Sequence, residues 1–433
     1  MANLEFKCPC CGGTLNFDNK SQNIVCPYCD TTFSANDLKE YNDDIQQNGS
    51  EDTSWDESQV ESYTNEDTNG MKIYSCNSCG GEIICEETTS STTCPYCGNN
   101  LVVSKELHGD LKPNYVIPFK KDKVFATEAL SKFIRRRPLL PGTFAKTNTI
   151  QEVKGLYVPF WIFDADVSGR VRYEGIKKRT YTQGDYEVKE EKHYSVVRDG
   201  GVGFAHVPVD GSKKMQDELM ESIEPFDFNQ AEDFNAAYLA GYAADRYDVS
   251  KEETFGRATT RFKQGTEAAF RRDIHGYDSV EVKESILQFS NTEARYALYP
   301  VWLLHSKWND KDFYFAVNGE SGKIAGNLPI SPARFSIFLF IFWLIFGAIG
   351  FGVGFLVAGD YGIAIPLVIG LIFGLLCAIG AMFGWRRKMK NVRFQYGAAN
   401  YEKPNSLNIT GRKDIYLYTK TTRTKKASSS TKR

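Results

Sequence analysis

The chain has 433 residues, enough for roughly three domains of about 150 residues, which excludes a single small module. Its 42% hydrophobic and 24% charged residues are typical of a globular protein. The formal net charge of −2 is a cancellation, because residues 1–104 carry 17 acidic residues against four lysines, whereas residues 386–433 carry 14 basic residues against two acidic ones. This asymmetry predicts an acidic arm and a basic tail with different partners.

Ten of the eleven cysteines precede residue 99, and no apolar signal segment lies at the N-terminus, which favours reduced or metal-bound thiols over a secreted disulfide framework. Eight of them repeat the spacing C-x2-C-x14-C-x2-C at an offset of 68 residues: Cys8, Cys11, Cys26, Cys29, and Cys76, Cys79, Cys94, Cys97. Four thiolates suit a tetrahedral Zn(II) with no coordinated water. The repeat therefore predicts two small β zinc ribbons, at 1–39 and 71–104, with two structural Zn(II) ions and no catalytic metal.

The same offset aligns further residue pairs, among them Phe17 with Cys85, Tyr28 with Tyr96 and Phe33 with Leu101. Three cysteines remain outside the repeat. Cys10 is an alternative ligand to Cys8 or Cys11, Cys85 is expected at a buried strand position, and Cys377 is expected to fill space in an apolar helix.

The charge of the ribbons bears on what they contact. Binding to phosphates needs Lys and Arg, yet residues 41–70 contain nine acidic residues and no basic one. This composition predicts a disordered acidic linker at 40–70. It also makes a cytoplasmic protein the expected partner and nucleic acid an unlikely one.

Residues 105–332 read as an α+β domain with antiparallel strands. Helical spacing predicts helices at 123–136, 213–222, 231–246 and 251–272, and apolar runs predict strands at 156–163, 167–173, 186–197, 279–289, 295–305 and 313–317. The Asn and Gly residues at 318–322 predict a hairpin turn. No catalytic motif is present; Asp164, Asp166, His206 and Asp210 are the acid and base residues that could converge, but polar strand ends explain them better.

Two uncharged 23-residue runs, 335–357 and 361–383, are each long enough to cross a bilayer and predict a two-helix transmembrane hairpin. Arg334 precedes the pair, and four basic residues follow it, so the positive-inside rule places both termini in the cytoplasm. Glycines spaced four apart favour close helix approach, within the hairpin or between protomers: Gly350 and Gly354, Gly370 and Gly374, Gly380 and Gly384.

Residues 386–433 are expected to form a basic cytoplasmic tail. Five residues close to the second span are predicted to contact anionic lipid: Arg386, Arg387, Lys388, Lys390 and Arg393. A solvated tail and a nucleic-acid contact are the alternatives.

The Cys-Pro-x-Cys knuckles occur together with several later motifs, namely 155–161 (GLYVPFW), 222–226 (SIEPF), 238–242 (YLAGY) and 300–302 (PVW) followed by 315–319 (FAVNG). In this combination the chain resembles bacterial membrane-anchored double-zinc-ribbon proteins of the transcription-factor-IIB type, often labelled primosomal-helicase-like. The resemblance implies a multi-pass protein of the bacterial cell membrane. It also implies a recruitment role near envelope-stress systems with phage-shock-protein-A-like and SPFH-domain partners.

These observations favour a non-enzymatic, membrane-anchored zinc-ribbon adaptor that holds a cytoplasmic protein at the bilayer. The alternative is a membrane-tethered, nucleic-acid-binding or transcription-linked factor. The two differ in whether the acidic ribbons bind protein or salt-sensitive DNA or RNA.

Overall fold

The computed structural model describes residues 7–18, 23–34, 38, 62–63, 71–86, 93–106, 111–135, 137–146, 150–309, 311–358, 362–395 and 397–425. The predicted linker at 40–70 lies outside the described residues except for Ser62 and Tyr63. Ser62 forms a β-bridge with Leu111, and Tyr63 is buried against Phe234. At this point the chain is therefore packed on the neighbouring domain.

Two cysteine-containing modules precede the large domain. Module 1 denotes residues 7–18 and 23–34 with strands β1 (Asn16–Asp18), β2 (Asn23–Val25) and β3 (Thr32–Phe33), which form their own antiparallel sheet. Module 2 denotes residues 71–86 and 93–106 with strands β4 (Met71–Ser75), β5 (Glu82–Glu86) and β6 (Val102–Glu106). The strands of module 2 belong to the sheet of the large domain, so the two modules are anchored differently.

The other nine strands form a mixed sheet together with the three strands of module 2, which gives twelve strands among the described residues. They are β7 (Tyr115–Val116), β8 (Ile150–Gln183), β9 (Tyr186–Asp210), β10 (Glu232–Asp233), β11 (Ala243–Asp245), β12 (Ser279–Trp308), β13 (Lys311–Asn318), β14 (Ile324–Gly326) and β15 (Asn408–Lys425). The long strands pair antiparallel, as β12–β8–β9–β15. The predicted antiparallel strands are therefore present, but the sheet is mixed because β11–β8 and β12–β7 pair parallel.

Six helices are described: α1 (Lys123–Ile134), α2 (Gly142–Lys146), α3 (Asp217–Ser222), α4 (Lys251–Arg271), α5 (Pro332–Ala358) and α6 (Ala364–Lys388). Helix α4 begins at a capping box in which Ser250 and Glu253 satisfy each other's backbone N–H groups. Its buried stripe includes Ala258, Phe262 and Phe270, which pack with sheet residues in the main hydrophobic core. The amphipathic sequence of this helix is what covers the sheet.

Helices α5 and α6 form a hairpin whose glycines lie at the helix–helix contact. A Cβ on Gly374 would lie 2.6 Å from the backbone nitrogen of Gly347, and one on Gly370 would lie 2.7 Å from the carbonyl oxygen of Gly347. A Cβ on Gly380 or Gly384 would meet no atom within 4 Å. Gly370 and Gly374 therefore allow close approach within the hairpin, whereas Gly380 and Gly384 face open space.

Short segments next to the hairpin hold it to the large domain. Leu328 N donates to Met389 O at 2.9 Å, and the Asn391 side chain accepts from Gly326 N and donates to Ile324 O, each at 2.8 Å. The Arg334 guanidinium donates to Leu140 O at 2.7 Å. Both ends of the hairpin are thus hydrogen-bonded to one domain.

The helix predicted at 231–246 is wrong. This segment contains β10, a 3-10 turn at Ala236–Leu239, and β11, with Gly241 at a φ of 80°. β11 pairs with both β5 and β8, so sheet hydrogen bonds outweigh the helical propensity of its alanines. The strands predicted at 156–163 and 167–173 are parts of one strand, β8, and those predicted at 279–289 and 295–305 are parts of β12.

The prediction of a basic tail at 386–433 needs the same kind of correction. β15 pairs with β9 along its length, and Leu417 and Tyr418 are buried. Ile415 and Leu417 alternate with polar neighbours, as in a half-buried strand. The prediction of a tail rested on the basic residues and did not take this alternation into account. The segment after the hairpin is therefore part of the large domain as far as Lys425. The turn predicted at 318–322 is confirmed, since β13 and β14 pair across it.

Candidate metal centres

All eight predicted cysteines gather into two groups positioned to hold metal ions, Cys8, Cys11, Cys26, Cys29 and Cys76, Cys79, Cys94, Cys97, with the four sulfurs of each within 4.8 Å of one another. In the first group Cys8 Sγ lies 3.7 Å from Cys29 Sγ, and in the second Cys76 Sγ lies 3.4 Å from Cys97 Sγ. Cys10, the alternative ligand, is exposed and outside the group. Cys85 is buried in β5, as expected, and is not a member of the second group.

Four identical turns place these sulfurs. In each, the first cysteine's N–H donates to the carbonyl five residues later, and its carbonyl accepts from the N–H four residues later, as Cys94 does with Asn99 at 2.7 Å and Gly98 at 3.0 Å. The residue directly after the second cysteine has a positive φ in every turn: Gly12, Asp30, Gly80 and Gly98 at 75°, 55°, 69° and 72°. This left-handed residue reverses the chain after the second cysteine, so that its N–H and the following carbonyl can bond to the first cysteine and close the turn.

Hydrogen bonding favours ionisation of one thiol in each group. Thr31 Oγ1 lies 3.2 Å from Cys29 Sγ, and this contact lowers the pKa of Cys29 to about 6. Burial acts to raise the pKa of Cys97, but hydrogen bonds from the backbone and side chain of Asn99 lower it to about 6. Burial alone raises the pKa of Cys85 to about 11, which suits a protonated thiol in the core.

Module 2 is embedded in the large domain. Lys154 Nζ donates to Cys94 O at 2.9 Å, and Lys214 Nζ donates to Cys79 O at 2.7 Å. Tyr96, beside Cys94 and Cys97, is 9% exposed and belongs to a core that includes Met215 and Leu219. Two ammonium groups therefore lie close to the second cysteine group, where they offset the negative charge of thiolates.

Module 1 rests on β15 through a smaller apolar cluster. Phe33 meets Tyr418 edge to face with ring centroids 6.1 Å apart, and Leu38 and Leu417 complete the contact. Tyr418 stacks in turn on His193 at 4.4 Å, and the Nδ1 atom of His193 lies 2.7 Å from Glu174 Oε1. The first cysteine group is thus attached by a few side chains and not by shared sheet hydrogen bonds.

The acid and base residues do not converge as a group of four. His206 Nδ1 lies 3.5 Å from Asp164, whereas Asp166 is bonded to Lys403 and Asn291. Asp210 is buried and accepts from Ser212 N. The structure pairs Asp164 with His206 and leaves the other two in different surroundings.

The five basic residues predicted to contact lipid are exposed at the end of α6 and just beyond it: Arg386, Arg387, Lys388, Lys390 and Arg393. Lys390 forms a β-bridge with Asn327, and the backbone of Arg393 bonds to Ser222. Their backbone is therefore held by the domain while their side chains reach outward. Lipid contact stays a prediction.

Sequence reasoning missed Asp30 and Gly98 as turn residues, although four repeated turns offered the signal. It also missed Lys154 and Lys214, which lie 60 and 135 residues from the carbonyls they bind. No local pattern points to partners at that separation.

A curated relative, the uncharacterized protein YdjG of Bacillus subtilis (strain 168), is 35% identical over 233 residues, which are 54% of this chain and 68% of that protein. The chain belongs to the YdjG family. No protein-family model matches it, and no solved structure matches it. The YdjG name carries no activity, so functional conclusions must come from the chain's own residues.

Proposed function

We propose that the protein is a membrane-anchored adaptor in which two structural Zn(II) ions hold the modules that bring a cytoplasmic protein to the bilayer. A Zn(II) ion with four bonds of about 2.3 Å needs sulfurs about 3.8 Å apart. The closest sulfur pairs at each site are 3.4 to 3.7 Å apart, which fits this ion with slight expansion. Bound zinc would contribute folding free energy to both modules.

The hairpin supports anchoring. Helices α5 and α6 are both long and apolar enough to cross a membrane, with mean hydropathies of 2.4 and 2.5 and little burial. Large apolar side chains such as Leu356 and Leu376 are 87% and 65% exposed, a surface that favours lipid over water. The exposed basic residues at the end of α6 would then lie at the headgroups and contact anionic lipid.

The return of the chain to one domain after the hairpin supports a same-side topology. Gln395 N donates to Glu221 Oε2 at 2.8 Å, and β15 pairs with β9. Packing of the chain before the hairpin against the chain after it supports a location of both parts on one side of the bilayer. The positive flank supports a cytoplasmic location for that side.

One observation carries the adaptor function: a domain held by hydrogen bonds to both ends of the hairpin displays two cysteine modules, each closed by four protein ligands. A closed tetrahedral site offers no position for substrate. The modules therefore serve as rigid surfaces, and the thiolate centres and acidic sequence favour a protein partner over nucleic acid.

Crosslinking mass spectrometry on tagged, full-length protein extracted from membranes tests this function, with zinc measured in the same sample. We expect one dominant protein partner and two zinc ions per chain. Cys26→Ala should lose one zinc and reduce recovery of the partner, whereas the control Cys85→Ala should retain both zinc ions and the partner. Recovery of no specific protein, or crosslinks chiefly to nucleic acid, would contradict the adaptor function.

A further inference from the structure

The two modules are built alike but differ in what covers them. In module 2 the Tyr96 ring lies over the first turn, so a Cβ on Gly81 would be 3.0 Å from it. In module 1 the Tyr28 ring lies over the equivalent turn, with a Cβ on Gly13 2.5 Å away. The two tyrosines therefore hold the same position relative to their cysteine groups.

Their exposures are opposite. Tyr96 is 9% exposed, whereas Tyr28 is 71% exposed. The next aligned pair repeats the contrast, because Cys85 is 2% exposed and Phe17 is 53% exposed. Tyr96 and Cys85 belong to one apolar cluster with the large domain, whereas in the described part of the chain the corresponding face of module 1, marked by Tyr28 and Phe17, has no such cover.

The cover on module 2 shows what chemistry this face accepts. Met215 and Leu219 pack in the cluster that holds Tyr96, and Tyr314 OH donates to Tyr96 O at 3.2 Å. Lys214 and Lys154 donate to the carbonyls of Cys79 and Cys94. The cover is thus a socket whose walls around the tyrosine ring include Met215 and Leu219, with two ammonium groups at the cysteine carbonyls and the buried Asp245 carboxyl near the tyrosine hydroxyl.

We propose that the face of module 1 marked by Tyr28 and Phe17 docks a partner protein whose surface has the same design: an apolar socket for Tyr28 flanked by Lys or Arg. This inference rests on the proposed adaptor function and names its contact surface. The partner's cations would bind the carbonyls of Cys11 and Cys26, which are equivalent to those of Cys79 and Cys94. Charge complementarity supports this partner, because four thiolates around one Zn(II) carry a net charge of −2.

Module 1 is also the module suited to an external partner. Its Phe33 packs with Leu417 and Tyr418 of β15, whereas module 2 shares sheet hydrogen bonds with the large domain between β5 and β11. The internal socket is occupied by Tyr96. Since no described residue forms such a socket around Tyr28, we assign the socket to a second protein; a tyrosine buried in this way is a typical anchor of a protein interface.

Photo-crosslinking in cells tests the proposal, with p-benzoylphenylalanine in place of Tyr28 in the full-length protein. The matched control carries the same group in place of Tyr186, a 45% exposed tyrosine that is the first residue of β9. We expect a protein adduct from position 28 and none of that protein from position 186. The crosslinked peptide should map to an apolar surface bordered by Lys or Arg.

Substitutions then measure the contribution of the face. In the protein without the photo-crosslinker, Tyr28→Ser should lower co-purification of the partner that the crosslink identified about tenfold, while two zinc ions remain bound. Phe17→Ser should lower recovery in the same direction, and Tyr186→Ser should not change it. Two retained zinc ions show that module 1 is still folded, so a lower recovery of the partner then reports loss of the docking surface.

The outcomes separate the surface from the adaptor function. A partner recovered equally by wild type and Tyr28→Ser would overturn the surface and leave the adaptor intact. Adducts to nucleic acid, to an acidic surface or to a second copy of this chain would also overturn the proposed partner chemistry. Absence of any partner from the wild type would overturn both proposals.

Discussion

Arg261 and Glu224 form a buried, bidentate ion pair, with Nη1–Oε1 and Nη2–Oε2 distances of 3.0 and 2.6 Å. The residues are 3% and 0% exposed, and Tyr401 OH donates to the same carboxylate at 2.8 Å. Burial raises the pKa of Glu224 even though Arg261 and Tyr401 oppose that shift. The pair joins helix α4, the segment after α3 and the chain beyond the hairpin.

Removal of one member of this pair should destabilise the folded protein. Arg261→Met leaves the Glu224 carboxylate buried without its cation, and we expect destabilisation by about 3–5 kcal/mol, seen as a lower melting temperature in detergent. Lys132→Met is the control, because Lys132 and Glu128 are 75% and 62% exposed and such pairs contribute at most about 1 kcal/mol. Equal melting temperatures for both variants would contradict a structural role for the buried pair.

The two cysteine groups should respond differently to loss of a ligand. Cys26→Ala and Cys94→Ala should each remove one of two zinc ions, measured by elemental analysis of the purified protein. Only Cys94→Ala should lower the melting temperature of the large domain strongly, because β5 of module 2 pairs with β11. An equal decrease for both variants would show that module 1 is as tightly integrated as module 2.

Asp245 should make stability depend on pH. Burial raises its pKa to about 7, although a hydrogen bond from Ser212 opposes the shift. Between about pH 4 and pH 7 the folded protein holds a proton that the unfolded chain has released, so this contribution is full at low pH and decreases by about 1.4 kcal/mol per pH unit as pH rises.

Asp245→Asn stays neutral and should lack this dependence. The melting temperature of the variant relative to the wild type should therefore increase from about pH 6 to about pH 7 and level off above the folded-state pKa. Comparing the two proteins at each pH cancels the shared titration of the cysteine groups. A constant difference across this interval would contradict a raised pKa for Asp245.

Two glycines of α6 provide a matched test of the hairpin. Gly374→Leu would place a side chain against the backbone of Gly347, so the helices must separate and the melting temperature in detergent should fall. Gly380→Leu meets open space and should have little effect. Similar behaviour of the two variants would argue against this helix contact.

Short-range patterns predicted much of the candidate site. The repeated cysteine spacing identified all eight residues of the two groups, because each turn is closed by backbone bonds within six residues. The apolar runs likewise identified both hairpin helices, since helix length and hydropathy are local properties. Local pattern was misleading at 231–246, where β11 gains hydrogen bonds from β5 and β8 that a helix count does not include.

By itself, the sequence determined which cysteines come together and which segments are apolar enough to cross a bilayer, since both follow from neighbours along the chain. Only the tertiary structure decided that module 2 is built into the sheet, that β15 returns to β9, and that Tyr96 is covered while Tyr28 is exposed. Those outcomes depend on surfaces contributed by residues 60 to more than 200 positions away. Burial and long-range hydrogen bonding, and not the repeated motif, therefore give the two modules their different surroundings.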